Sequence, residues 1–483
     1  MAQRYRERED KYEVDPAWTL PDLTGAIPPD ARIEQRTVSL SSSYFDTADG
    51  DLLAHGVTLR LRSGDTDTGW QLKLPDGAAR TEVRVPAGKG SRAVPAELRD
   101  LVLGLRRGAA LRPVATLDTT RTATRIVDSA DELLAEVDDD LVRASTTATE
   151  WREIEVELGS GDECLLSAIG ERLVDAGAVP ARHRSKLGYV LGEPDAAPEA
   201  PGRIRTLADL VALYLQAQYS AIIDGDLALR SGQDAVHATR VATRRYRSVL
   251  RVFGGLLDPE QAAALDTELA WYASLLGAVR DSDVLRAHLD RLVASLPRQV
   301  VLGPVTTRID EKLLSERLTA ERKLLRQMRG KRYLALLADL KGWHQRPAFV
   351  ETTATPAANV DTYVRKAIRA LSKRLKQAAR ADDADELLHR ARKAAKRARY
   401  TAELAEPVLG KPARRLVKRA KTLQDVLGEH QDSIVAGEFL LRLGATAGTR
   451  PGENGFTYGL LYAYEQRRAE VTEARGRKLR SIA

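Results

Sequence analysis

Two histidines head two near-copies of one basic pattern: His237–Arg247 reads HATRVATRRYR, and His389–Arg399 reads HRARKAAKRAR. On a helix turning about 100° per residue, the bases three, seven and ten positions on lie within about 80° of the histidine. They are Arg240, Arg244 and Arg247 in the first copy, and Arg392, Lys396 and Arg399 in the second. Arg245 and Arg397 sit beside these stripes, and Arg251 extends the first one. The second has Glu403 at that place, but Lys393 and Tyr400 widen it on the other side of His389. Few acids lie inside these runs, and uncompensated like charges repel unless an anion sits among them. Zinc does not fit, because guanidiniums repel a cation and neither histidine has a cysteine or a second histidine nearby. Nearby cations favour neutral imidazole, whose N–H can donate to a phosphate.

The N-terminal part carries a different chemistry. Short runs alternate apolar and ionic residues and so present charge on one face of a strand. VTLRLR aligns Arg60 with Arg62, WQLKL aligns Gln71 with Lys73, and RTEVRV aligns Arg80, Glu82 and Arg84. EIEVEL aligns Glu153, Glu155 and Glu157. Glu7, Glu9, Lys11 and Glu13 share a face, as do Glu136, Asp138 and Asp140. A solvated strand face usually mixes in Ser, Thr and Gln, whereas these are almost wholly ionic. Clustered carboxylates hold hard cations such as Mg²⁺ or Mn²⁺, and Arg and Lys neutralise phosphate oxygens. The two sets together suit a phosphate chain and a metal that activates water.

These residues require two kinds of scaffold within 483 residues. The alternating runs fill residues 1–192, and helical periodicity takes over from TLADLVALYL, near residue 205, to residue 480. A Pro/Ala/Glu-rich stretch at 193–204 reads as a linker. Cut there, the chain has 25 Lys and Arg against 36 Asp and Glu before residue 203, and 50 against 32 from there on. The first part is net −11 and the second +18. In the second part, LGAVRDSDV (Leu276–Val284) answers LGEHQDSIV (Leu427–Val435) at an offset of 151, while the histidine segments are offset by 152. Two matches at nearly one offset indicate duplication, with copies over about 205–340 and 355–480. The second copy departs at His430 and Gln431, which replace Val279 and Arg280, so the halves are expected to be unequal. Arg365, Arg369 and Lys373 add bases on the preceding helix, and KPARRLVKRAK adds more after it.

Other classes are excluded or disfavoured. Cys164 is the single cysteine, so no disulfide forms within the chain. No run approaches the roughly 20 apolar residues of a membrane span, and MAQRYRERED does not resemble a secretory signal. A cytoplasmic protein without a membrane partner is expected. The basic half has few aromatic residues for stacking and no reading motif, which argues against nucleic acid.

Both halves resemble known families. Glu7-Arg8-Glu9-Asp10-Lys11 matches the E-x-E-x-K that opens the CYTH, or triphosphate tunnel metalloenzyme, family. Tyr44-Phe45-Asp46-Thr47, Arg60 and Arg62, Lys73, Arg80-Thr81-Glu82, Arg121, the acidic strand ending at Asp140, the glutamate strand and Ser185-Lys186-Leu187 follow in family order. The resemblance implies an eight-stranded antiparallel β tunnel acting on triphosphate-containing substrates with Mg²⁺ or Mn²⁺. Glu7, Glu9, Asp140, Glu153, Glu155 and Glu157 correspond to its metal and water-positioning acids. Lys11, Arg60, Arg62, Lys73, Arg121 and Lys186 correspond to its phosphate-binding bases. Register within the strands leaves Asp138 as an alternative to Asp140, and Arg125 to Arg121. The motif H-x-x-R-x-x-x-[RK]-[RK]-x-R, twice, each followed by L-G-x-x-x-D, resembles the CHAD domain. That resemblance implies two pseudo-twofold-related four-helix bundles binding inorganic polyphosphate, and places the chain at polyphosphate granules. An α+β protein follows, expected to hydrolyse triphosphate or polyphosphate in its first domain and bind the polymer in its second. A non-catalytic polyphosphate-targeting protein and a nucleotide cyclase stand as alternatives.

Overall fold

The computed structural model describes residues 3–64, 68–77, 79–88, 93–192, 204–350, 355–381, 385–449 and 452–478. The expected linker therefore lies, apart from its last residue, outside the described residues. Two compact units divide the chain, residues 1–198 and 199–483.

The alternating runs of the first unit form the strands β1 (Gln3–Glu7), β2 (Glu9–Glu13), β3 (Arg32–Asp46), β4 (Thr58–Ser63), β5 (Gly69–Asp76), β6 (Ala79–Val85), β7 (Arg112–Val127), β8 (Leu133–Ala144), β9 (Thr149–Leu158) and β10 (Val179–Pro180). Short helices α1 (Ala96–Leu101) and α2 (Leu103–Arg106), a longer α3 (Glu163–Asp175) and the terminal α4 (Lys186–Leu191) accompany them. All pairings are antiparallel. The order is β1-β6-β5-β4-β3-β7-β8-β9-β2-β10.

This corrects the expected eight-stranded tunnel: the sheet has ten strands, and its ladder ends at β1 and β10 without closing. Two local events raise the count. The E-x-E-x-K run breaks at Arg8, so that β1 pairs with β6 while β2 pairs with β9, and a two-residue β10 adds to β2. Alternation fixes which way side chains point, but says nothing about whether the first strand pairs with the last.

The expected facing of charge is present. Apolar residues of β7, β8 and β9, including Ile126, Val137, Ile154 and Val156, pack with Leu166, Ile169 and Leu173 of α3. An added Cβ at Gly170 of α3 would stand 2.3 Å from the Tyr12 hydroxyl, so glycine lets the helix lie close to β2. The ionic residues line the opposite, concave face.

The second unit is largely helical: α5 (Leu207–Arg230), α6 (Val236–Val252), α7 (Pro259–Ala294), α8 (Val305–Met328), α9 (Lys331–Gln345), α10 (Val360–Ala378), α11 (Asp385–Leu409), α12 (Lys411–Ala447) and α13 (Phe456–Lys478). Thr206 and Asp209 cap α5 reciprocally, and Asp258 caps α7 just before Pro259. Two separate four-helix bundles are not what forms. The first copy holds five described helices and the second four. The far ends of α7 and α8 bury Leu289, Ile309 and Leu313 in one core with Phe439 and Leu440 of α12 and Leu461 of α13. No helix among the described residues is long and apolar enough to cross a membrane.

Candidate functional site

On the concave face of the sheet, register brings the predicted acids and bases together. One rung joins Arg121 of β7 to Asp140 of β8 and Glu153 of β9, and another, four residues along, joins Arg125, Glu136 and Glu157. Both readings left open by the sequence are thus accommodated, because Arg121 and Arg125 point to the same face, as do Asp138 and Asp140. Arg121 donates from Nε and Nη2 to Asp140 at 2.8 and 2.7 Å, reaches Glu155 at 3.1 Å and also pairs with Asp138. Arg125 turns to Glu34 and Glu136.

Ser185 accepts the Gly188 N–H and starts α4, which delivers Lys186 to the floor of the site. Its Nζ lies 2.9 Å from Asp140, 2.8 Å from Glu153 and 2.8 Å from Glu155. Lys11 pairs with Glu155 and lies 3.5 Å from Glu9. Lys73 lies 2.7 Å from Glu7 and 3.4 Å from Glu9, while Arg80 stands 3.5 Å from Glu9. Glu82 pairs with Arg84.

The charges do not cancel everywhere. Burial opposes ionisation of Glu9 and Asp140, but Lys11 and Lys73 hold Glu9 at about 2, and Lys186 and Arg121 hold Asp140 at about 2. Burial pushes Glu7 up to about 7 against Lys73, with Glu82 and Glu157 adding to the shift, and Glu157 is raised as well, first by burial. Asp138 is also raised by burial. The opposite surplus lies across the site. Arg60 donates to Gln71 Oε1 at 2.7 Å and to the Tyr44 hydroxyl at 3.2 Å, both neutral partners. Arg62 is 6% exposed, its Nε has no hydrogen-bond partner, and burial, Arg60 and Arg121 lower it to about 10. Neither arginine has a carboxylate within 4 Å among the described residues. Arg60, Arg62, Lys73 and Arg121 line one cavity of about 480 Å³ together with Glu7, Glu155 and Glu157.

Among the described residues no three carboxylates or imidazoles converge as a ready-made metal cage. Lysines and Arg121 stand between the acids instead. The donor set still fits a hard divalent cation: it is all oxygen, and burial raises Glu7 and Glu157 above the ordinary carboxylate range despite Lys73.

In the helical unit, α6 and α11 meet with their basic stripes facing. Arg240, Arg244, Arg247 and Arg251 from α6, and His389, Arg392, Lys393, Lys396 and Arg397 from α11, line a cavity of about 430 Å³. Ala270, Ala273 and Ser274 of α7 complete it, and their small side chains leave the room. That i, i+3, i+4 spacing was a signal which reasoning from charge passed over. Arg244 and Lys396 have no carboxylate partner among the described residues. Burial, Arg244, Arg392 and Arg240 bring Lys396 down to about 7. Burial and neighbouring cations also lower both histidines, favouring neutral imidazole. His389 lines the cavity, but His237 is exposed beside Arg280 and does not.

The L-G-x-x-x-D repeat acquires a physical reading. A Cβ on Gly277 would stand 3.3 Å from Arg240 Nη2, and one on Gly428 3.2 Å from Arg392 Nη2. Asp281 then meets Arg240 at 3.1 Å and Asp432 meets Arg392 at 3.9 Å. Each glycine admits an arginine against the helix and each aspartate, one turn on, orients it.

Other predicted bases lie elsewhere. Arg245 and Arg399 both bind Glu403, at 2.9 and 2.8 Å, on a different side of α6 and α11. Tyr214 of α5 donates to the same carboxylate at 3.3 Å. Arg365 pairs with Asp361, and neither Arg365, Arg369 nor Lys373 lines the cavity. His430, which replaces Val279, is 3% exposed and bonds Asp385 and the Ala469 carbonyl. The second copy thus buries a hydrogen-bonded imidazole where the first buries a valine.

These two sites belong to a CYTH domain and a CHAD domain. The CYTH domain family matches residues 6–178, and the CHAD domain family residues 213–441. The chain therefore belongs to the proteins that join the two, a class with the catalytic potential and general metal dependence of CYTH domains. An uncharacterized protein of Mycobacterium tuberculosis, MT2285, is 36% identical over 509 residues, covering 99% of this chain and 96% of that one. Among solved structures, PptA from Streptomyces chartreusis matches with a TM-score of 0.48 and 20% identity over 57% of this chain and 98% of its own. The CHAD domain from the plant Ricinus communis matches with a TM-score of 0.45 and 28% identity over 57% and 93%.

Proposed function

We propose that the CYTH domain hydrolyses inorganic triphosphate or polyphosphate with Mg²⁺ or Mn²⁺, while the CHAD domain binds inorganic polyphosphate and keeps the enzyme at polyphosphate bodies. The observation that carries this reading is one cavity lined both by Arg60 and Arg62, which have no carboxylate within 4 Å among the described residues, and by Glu7 and Glu157, which burial raises. Arg60, Arg62 and Lys73 seat phosphoryl oxygens, to which guanidinium forks are matched. Glu7, Glu157 and Glu9 hold the cation. Bound there, it supplies charge neutralisation and a water of lowered pKa. Lys11, Arg121 and Lys186 keep Asp140 and Glu155 ionised and in place. In the CHAD domain, Arg244 and Lys396 at the centre, with Arg240, Arg392 and His389 around them, bind successive phosphates of the polymer.

Incubation with tripolyphosphate and Mg²⁺ or Mn²⁺ tests the first half. Orthophosphate release that is lost in Glu7→Ala or Glu9→Ala is the expected result. Release of no phosphate from any triphosphate leaves a polyphosphate-binding protein. Formation of cyclic AMP from ATP would replace hydrolysis by cyclisation.

A further inference from the structure

The groove of the CHAD helices holds one group that binding a polyanion does not by itself require. Lys396 follows His389 by seven residues, and the residue in the same place after His237 is Arg244. Both line one cavity of about 430 Å³. A guanidinium keeps its proton in a protein and is no nucleophile, whereas an amine becomes one once it loses its proton. Lys396 is half-buried and has no ion-pair partner among the described residues. After burial, the facing Arg244, Arg392 and Arg240 bring its amine down to about 7, while Asp432, 3.9 Å from Arg392, pulls the other way. A large share of this amine is therefore unprotonated at neutral pH. Lys393, one turn earlier on α11, lines the same cavity but is exposed. The cavity also has two unlike walls. Guanidiniums of α6 and α11 form one, and Ala270 and Ala273 of α7 give the other an apolar surface. A molecule with a phosphate at one end and a small acyl group at the other matches both.

From this arrangement we infer that Lys396 is a modification site, acylated by a small acyl phosphate that the groove itself binds. The inference rests on the proposed reading of the groove as a phosphate site. The arginines take the donor's phosphate as they take one unit of the polymer, and this holds the acyl carbon beside the amine. The Nζ lone pair forms a bond to the acyl carbon, the bond from that carbon to the phosphate oxygen breaks, and phosphate leaves with the electron pair. The surplus proton on nitrogen passes to the departing phosphate. One acyl phosphate is consumed, and one amide and one hydrogenphosphate are formed. The amide carries no charge, so the modification withdraws a cation from the middle of the groove and loosens its hold on polyphosphate. The first copy cannot respond in this way, because its counterpart is an arginine.

The whole chain is incubated at neutral pH with acetyl phosphate or, in parallel, with an acetyl thioester that carries no phosphate, and acetylation of each lysine is followed by mass spectrometry. The rate at Lys396 relative to Lys393 is expected to be roughly tenfold higher with acetyl phosphate than with the thioester, about the worth of one charge-assisted phosphate contact. Tripolyphosphate is expected to protect Lys396 and to leave the exposed Lys411 unaffected. Equal rate ratios with the two donors, or a Lys396 that stays unlabelled, would overturn the inference, and neither outcome depends on a variant that folds. Calorimetry before and after acetylation is expected to show polyphosphate affinity falling roughly tenfold. In Lys396→Arg, treated alike, whatever affinity remains is expected to change less than about twofold. An equal fall there would assign the loss to other lysines and sink the regulatory role of this one. If the untreated chain binds no polyphosphate, the polymer reading of the groove fails, while the ratio of labelling rates still decides whether Lys396 takes its acyl group from a phosphate donor.

Discussion

The concave face of the CYTH sheet and the groove of the CHAD helices both gather bases, yet they manage charge in opposite ways. In the sheet nearly every base has a carboxylate: Lys186 alone serves three of them, and Arg60 and Arg62 are the exceptions. In the groove the acids stand at the periphery, on Arg240, Arg392 and the Arg247–Arg251 pair, and the centre is left to Arg244 and Lys396. An internally balanced array can hold a substrate, a cation and a water at fixed relative positions. An array of one sign can hold a polymer in many registers but offers no carboxylate to hold a cation. The contrast supports the proposed division, with chemistry in one and retention in the other.

The sharpest way to break that contrast is a crossed measurement. Glu7→Gln is expected to lower triphosphate turnover by about 100-fold or more, while long-chain polyphosphate binding on the same preparation changes less than about twofold. Loss of both together would mean that one site does both jobs. Next in size is Lys186→Met, which strands Asp140, Glu153 and Glu155 without their shared cation. A loss of about 3–5 kcal/mol in denaturant unfolding of the CYTH domain is expected for a buried partner removed in this way. Lys396→Ala should weaken long polyphosphate by roughly tenfold and make the plot of log affinity against log salt shallower by about one. An unchanged slope would move the polymer elsewhere on the helices.

Acidity should separate the sites as well. Lys396 stands at about 7, so raising the pH through 7 removes its charge, and polyphosphate affinity falls from pH 6 to pH 8 with proton uptake on binding. Glu7 also stands at about 7, but there rising pH creates the carboxylate, so divalent-cation binding tightens over the same range with proton release. Calorimetry in buffers of different ionisation enthalpy reads both signs. The smallest effect is expected of Gly428→Ala. The new Cβ pushes on Arg392, so polyphosphate affinity should drop by about two- to threefold while helix propensity keeps the melting temperature from falling.

Much of this was legible in the residues because periodicity of two and of 3.6 reports which side chains share a face. Arg60 with Arg62, the glutamates of β9 and the basic stripe on each of α6 and α11 follow from that alone. What the pattern could not give was closure. A break at Arg8 sends one acidic run to both ends of an open ladder, and nothing in alternation marks it. Pairing between distant segments was equally hidden. Arg245 read as a ligand because its acid, Glu403, lies 158 residues away, whereas the Arg399–Glu403 pair, one helical turn apart, was there to be read. Arg36 alternates with Arg32 and Glu34 on β3, a signal that was passed over, and the fold brings it to the lining of the cavity.

The core shared by α7, α8, α12 and α13 makes the duplication irreversible. Either copy alone would meet water with a strip of leucine and phenylalanine that its counterpart now covers. Recombination that shed one copy would therefore have to restore the lost surface by pairing two chains. Sequence drift in the distal helices of one half is answerable to the other half, even though neither stretch touches the ligand.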